Sequence, residues 1–215
     1  MLRYKEDIIT FLLVIITFCF FVFTPGKDSL GSAVQGFVLA LIFFGLLPLG
    51  YHFLVLRKKA DDFGLGREAV FKGAWLMAPI VLGAFALTIF IYFLSPAFQG
   101  SVMVPGVIQN SFGAFVAYEL LLVPILIALY EVFFRGFIQK SWLQKYWGAL
   151  AIFAQTGVFV LFLLMTGSFG WSALPFIIFS LFSGFLVWKN NSLVQAWLAH
   201  WLFILAFDIF VLLMR

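Results

Sequence analysis

Apolar runs long enough to cross a lipid bilayer follow one another along almost the whole chain, and nothing else constrains its fold as strongly. A helix crossing the hydrocarbon needs about 20 residues, within a range of about 17–25. Runs of this order cover residues 8–23, 33–56, 73–94, 112–134, 149–166, 171–188 and 192–214. They are continuous, not alternating, which argues against a membrane β-barrel. Composition agrees, with 65% hydrophobic and 10% charged residues, against about 45–50% and 25% in soluble domains. The predicted fold is an all-α integral membrane protein. One domain over residues 1–215 would form a bundle of about seven transmembrane helices.

The charges lie between the runs. With seven spans, Arg3, Lys5, Arg57, Lys58, Lys59, Arg67, Lys72, Arg135, Lys140, Lys145 and Lys189 fall on one side, and Lys27 and Arg215 on the other. Cytoplasmic loops collect Lys and Arg, so the N-terminus is expected inside and the C-terminus outside. Trp75, Trp142, Trp147 and Trp188 fall near inner ends and Trp171 near an outer end, as interfacial aromatics do. The net charge of +4 forms no basic face, so no nucleic-acid partner is expected. Cys19 is the single cysteine, which excludes an internal disulfide and a cysteine-based metal site. Thr24-Pro25-Gly26-Lys27 follows the first run without a small-x-small cleavage site, favouring a retained span over a signal peptide. Ser95-Pro96 and Pro105-Gly106 read as turns, and Asp61-Asp62-Phe63-Gly64-Leu65-Gly66 as a polar turn before a helix.

Ionisable side chains within spans are costly and tend to face the bundle interior. Here they are Glu119, Glu131, Arg135, His200 and Asp208, with His52 near an inner end. Glu131 and Arg135 stand four apart, on one helix face. Self-neutralisation with Arg135 snorkelling is the plain reading of that pair. Counted from the inner ends, Glu131 and His200 reach a common layer, roughly 13 Å deep for His200. Glu119 and Asp208 reach a second layer nearer the outside, where touching carboxyls would share a proton. Both acids are also read simply as polar residues holding helices together. Trp197 and Trp201 flank His200 and are expected to pack in the core.

Glu131-Val132-Phe133-Phe134-Arg135-Gly136 resembles the first motif, E-E-x-x-x-R, of the CPBP family: CAAX prenyl endopeptidases, bacteriocin-processing and immunity-type membrane proteins, and their relatives. Asn191–His200 is similar to the family's H-x-x-x-N motif and its lead-in, and Asp62-Phe63-Gly64-Leu65-Gly66 to a short segment between early spans. The resemblance covers roughly residues 60–210. It implies a CAAX-protease-like bundle and a metal-dependent intramembrane endopeptidase. In the family the first glutamate acts as general base on a metal-activated water, and two histidines and an asparagine hold or polarise that centre. This chain departs from the pattern at each point. Tyr130 stands at the first glutamate. Phe153 or Phe159 would supply the phenylalanine of F-x-x-x-H, leaving Gly157 or Leu163 at the histidine. Ile204 stands at the asparagine. A catalytic zinc takes about three protein ligands, and Tyr130, with an ordinary pKa near 10, is no carboxylate base. Asp208 lies about 12 Å along the axis from His200, beyond a shared metal.

The expected function is that of a catalytically inactive family member, a partner-binding or accessory membrane subunit without a cofactor. Glu131, Arg135 and His200 would be a vestigial site, with Glu119, Tyr130 and Asp208 as candidate binding residues. The alternative is an active metallopeptidase with an altered centre; zinc belongs only to that reading. A transporter or receptor fits less well, since no lysine lies in the last span to hold retinal and no repeats are evident. The expected partners are the lipid bilayer and another membrane protein, and the expected location is the cytoplasmic membrane of a prokaryote.

Overall fold

The computed structural model describes residues 2–23, 30–66, 70–101, 109 and 111–214. The Thr24–Lys27 and Pro105-Gly106 segments, Arg67 and Arg215 lie outside the described residues. The helices, in chain order, are α1 (Leu2–Val22), α2 (Val34–Val55), α3 (Ala60–Phe63), α4 (Ala74–Leu94), α5 (Pro96–Ser101), α6 (112–143), α7 (Ala151–Met165), α8 (Leu174–Asn190) and α9 (Leu193–Leu213). There is no strand among the described residues. Inside hydrocarbon, only a helix satisfies its own backbone groups within one segment.

Among the described residues, five stretches are long and apolar enough to cross a membrane: α2, α4, the run Phe112–Met165, the stretch Trp171–Asn190 that contains α8, and α9. The 54-residue run would measure about 81 Å if straight, far more than a hydrocarbon core of about 30 Å. It breaks at Gly148, whose φ is 51°, and α7 folds back on α6. Phe159 and Phe162 meet Phe134 at ring-centroid distances of 5.2 and 5.9 Å. α1 packs on the same bundle through Phe18 and Phe21, against Phe133, Phe44 and Phe162. Two expected boundaries shift. The first helix starts at Leu2, with Lys5, Glu6 and Asp7 inside it, and the fourth continues past residue 134 to 143.

Polar contacts gather the expected inner connections at one end, here called the basic end. Lys58 pairs with Glu6 at 3.1 Å and Lys145 with Asp7 at 2.6 Å. Lys140 Nζ donates to the carbonyls of Asp61 (2.7 Å) and Asn191 (3.2 Å). Gln195 Nε2 donates to the carbonyls of Val70 and Lys72, both at 2.9 Å. At the opposite end, Phe98 is buried against Tyr92, Trp171 and Phe207.

The Asp61–Gly64 segment is a helical plug and not a simple turn. Gly64 ends α3 with φ 88°, and its carbonyl accepts from Leu193 N at 2.8 Å. Phe63 is completely buried, with its ring against the space a Cβ at Gly136 would occupy. The glycine after Arg135 thus lets α3 dock beneath α6.

Candidate functional site

Glu131 and Arg135 are fully inaccessible and His200 is 1% exposed. α6 carries the first two and α9 the third. Glu131 ends an ordinary α-helical stretch, and Arg135 lies in wide, π-type turns that run over Val132–Leu143, a distortion common at functional sites. Glu131 Oε1 accepts from His200 Nδ1 at 2.7 Å, and Glu131 Oε2 faces Arg135 Nε at 3.4 Å. Arg135 Nε also donates to Ser183 Oγ of α8 at 2.8 Å. Phe179 stacks on the imidazole, centroid to centroid at 4.6 Å. The carboxylate thus ties α6 to α9 and the guanidinium ties α6 to α8, and a buried charge is tolerable only when paired.

Tyr130 lies edge-on to His200 at 5.7 Å, and its ring lies 5.0 Å from Arg135 Cζ. Its hydroxyl is buried and makes no hydrogen bond among the described residues. Phe159 packs on Tyr130 at 4.9 Å, whereas Phe153 is an exposed surface side chain. The register that faces this layer is therefore Phe159 with Leu163; Leu163 and Ile204 are both buried and apolar. His200 Nε2 has no hydrogen-bond partner among the described residues.

Glu119 and Asp208 also come together, across α6 and α9, in the other half of the bundle. Neither Glu119 oxygen meets the geometry of a hydrogen bond among the described residues. Trp201 Nε1 donates to the Glu119 carbonyl and Trp197 Nε1 to the Pro124 carbonyl, each at 2.8 Å. Both tryptophans are half-buried ties between α9 and α6. His52 stands apart at the basic end, its Nε2 3.1 Å from the Lys59 carbonyl.

Residues 109–206 match the family model of the type II CAAX prenyl endopeptidase Rce1-like proteins. Over that stretch the chain is similar to the CPBP, or CAAX protease, family. No curated protein and no solved structure matches it.

The family implies a hydrolytic metal centre, and the donors on these helices do not fit one. A catalytic zinc takes three protein ligands and an open position. Around His200 the carboxylate of Glu131 is already engaged by an imidazole and a guanidinium, and His200 Nε2 is the one nitrogen without a hydrogen-bond partner among the described residues that could ligate a metal there, since the terminal nitrogens of Arg135, also unpartnered, are cationic. No three His, Cys, Asp or Glu side chains converge among the described residues.

Sequence reasoning passed over the polar seam that supports the site. Gln139 follows Glu131 and Arg135 at the same four-residue spacing, and its Nε2 donates to the Gly184 carbonyl at 2.8 Å. Thr156 and Ser180 hydroxyls meet at 3.0 Å. The signal was present as small polar residues in an otherwise apolar helix, Ser180 and Ser183-Gly184, the composition of close helix contacts in membranes.

Proposed function

We propose that this chain is a non-hydrolytic member of its family that binds a membrane partner as an accessory subunit. One observation carries the reading. The only carboxylate beside His200 among the described residues, that of Glu131, is held by His200 on one side and Arg135 on the other. It is thereby a structural tie and no base for an attacking water. The side chains at the family's other catalytic positions, Tyr130, Leu163 and Ile204, supply no carboxylate, imidazole or amide. What persists is a rigid bundle able to present an intramembrane surface. The reading includes a cytoplasmic N-terminus in the cytoplasmic membrane of a prokaryote, supported by the placement of 11 of the 13 Lys and Arg residues.

The test is purification in mild detergent, with metal analysis, a membrane-peptide cleavage assay and mass spectrometry of co-purifying proteins. The reading predicts no stoichiometric zinc, no cleavage, and a membrane protein retained equally by wild type and His200→Ala. The unengaged Nε2 of His200 is the observation that favours an active peptidase instead. Zinc and cleavage lost together in His200→Ala would establish that second reading.

A further inference from the structure

A groove of about 600 Å³ lies on the lipid-facing surface over α8, within the roughly 300–1,000 Å³ span of small-molecule sites. It is separate from the Glu131–His200 layer. Ile80 of α4 forms one wall, Ile152 and Phe153 of α7 the other, and Leu181, Phe182 and Phe185 the floor. No titratable side chain lines it. An occupant inside hydrocarbon must therefore be recognised by apolar contact along this length.

The groove has a polar end. Ile80 sits near the start of α4, Ile152 and Phe153 near the start of α7, and the floor residues in the last half of α8. All three positions lie toward the basic end. Trp188 and Ala149 line the groove there. Lys189 follows Phe182 by seven residues and Phe185 by four, which continues the floor on the same helix face. It is exposed and forms no ion pair among the described residues. From Leu181 to Trp188 the floor runs about 10 Å along the axis, a third of a hydrocarbon core of roughly 30 Å. An apolar trough that ends, at its polar end, beside Trp188 and an ammonium without an ion pair among the described residues matches one molecule shape: an acyl chain joined to an anionic headgroup.

We propose that this groove is a specific site for an anionic glycerophospholipid, one acyl chain lying on Leu181, Phe182 and Phe185 and the phosphate meeting Lys189. The chain contacts supply retention and Lys189 supplies headgroup preference, since a Lys or Arg at the surface favours an anionic lipid by about fivefold. The site does not depend on whether the chain hydrolyses peptides.

Native mass spectrometry of the full chain, delipidated and titrated with dioleoyl phosphatidylglycerol or dioleoyl phosphatidylcholine, tests this. The expected result is one tightly retained lipid, with phosphatidylglycerol preferred about fivefold. Lys189→Gln is a surface change that leaves the fold alone; it should bring the two lipids to near-equal retention. Ala149→Trp, pointed into the mouth, should remove the retained molecule of either lipid, with helicity checked by circular dichroism. Unchanged headgroup preference in Lys189→Gln overturns the proposal. So does unchanged retention in a folded Ala149→Trp, or the absence of any tightly held lipid on the wild type.

Discussion

Replacing Glu131 by Gln keeps the side-chain volume and removes one charge from the centre of the bundle. Two losses follow. The His200 hydrogen bond, now to a neutral acceptor, gives up part of the roughly 1.5–3 kcal/mol typical of bonds to charged groups. Arg135, completely buried, loses its only anionic neighbour among the described residues and keeps Ser183. Leaving one member of a buried pair uncompensated costs about 3–5 kcal/mol. The two losses overlap, because both belong to the same carboxylate, so we expect Glu131→Gln to destabilise the fold by about 3–5 kcal/mol. Unfolding by sodium dodecyl sulfate in mixed micelles, followed by tryptophan fluorescence, measures it. The second arm is Glu131→Gln/Arg135→Met, which removes both charges at similar volume. Apolar replacement of a whole buried pair is often neutral, so the double variant should recover most of the loss. A single variant within about 1 kcal/mol of wild type, or a double variant no more stable than the single, would refute this account of Glu131.

Three further outcomes follow from the same geometry. Gly136→Ala should destabilise by about 1–3 kcal/mol, because its methyl group meets the buried Phe63 ring; Phe63→Leu on that background should restore part of the loss, read by thermal unfolding in detergent. Asn191, the residue after α8, holds φ 56°, so Asn191→Ala should cost about 1–2 kcal/mol while Asn191→Gly leaves stability within about 0.5 kcal/mol; the same melts decide. Tyr130→Phe deletes a buried hydroxyl that makes no hydrogen bond among the described residues. It should raise stability by about 1 kcal/mol, and a loss of that size would reveal a partner for the hydroxyl.

Much of the architecture was legible in one dimension. The long uncharged runs require helices, and the Lys and Arg between them separate the two ends. The structure brings Glu6, Asp7, Lys58, Lys140 and Lys145 together at one of those ends. The spacing of Glu131 and Arg135 and the depth of His200 likewise pointed to one layer, and they meet within 3.4 Å. Less legible was the number of crossings: the sequence predicts about seven runs, and among the described residues five stretches satisfy length and apolarity, one of them a hairpin too long for a single passage. Helix ends also moved, because hydropathy marks the hydrocarbon boundary and not where hydrogen bonding stops. α6 runs on to 143, through the polar residues Gln139 and Lys140.

Sequence by itself determined the medium, the helical class and which side chains lie at membrane depth, since each follows from transfer free energies summed along the chain. Only tertiary structure decided who meets whom around the axis. It set Phe159 and not Phe153 against Tyr130, supplied Ser183 to Arg135, and seated Phe63 under Gly136. The reason is that depth is fixed by the bilayer, whereas azimuth is fixed by side-chain packing between helices and by the wide turns of α6, neither of which a hydropathy pattern encodes.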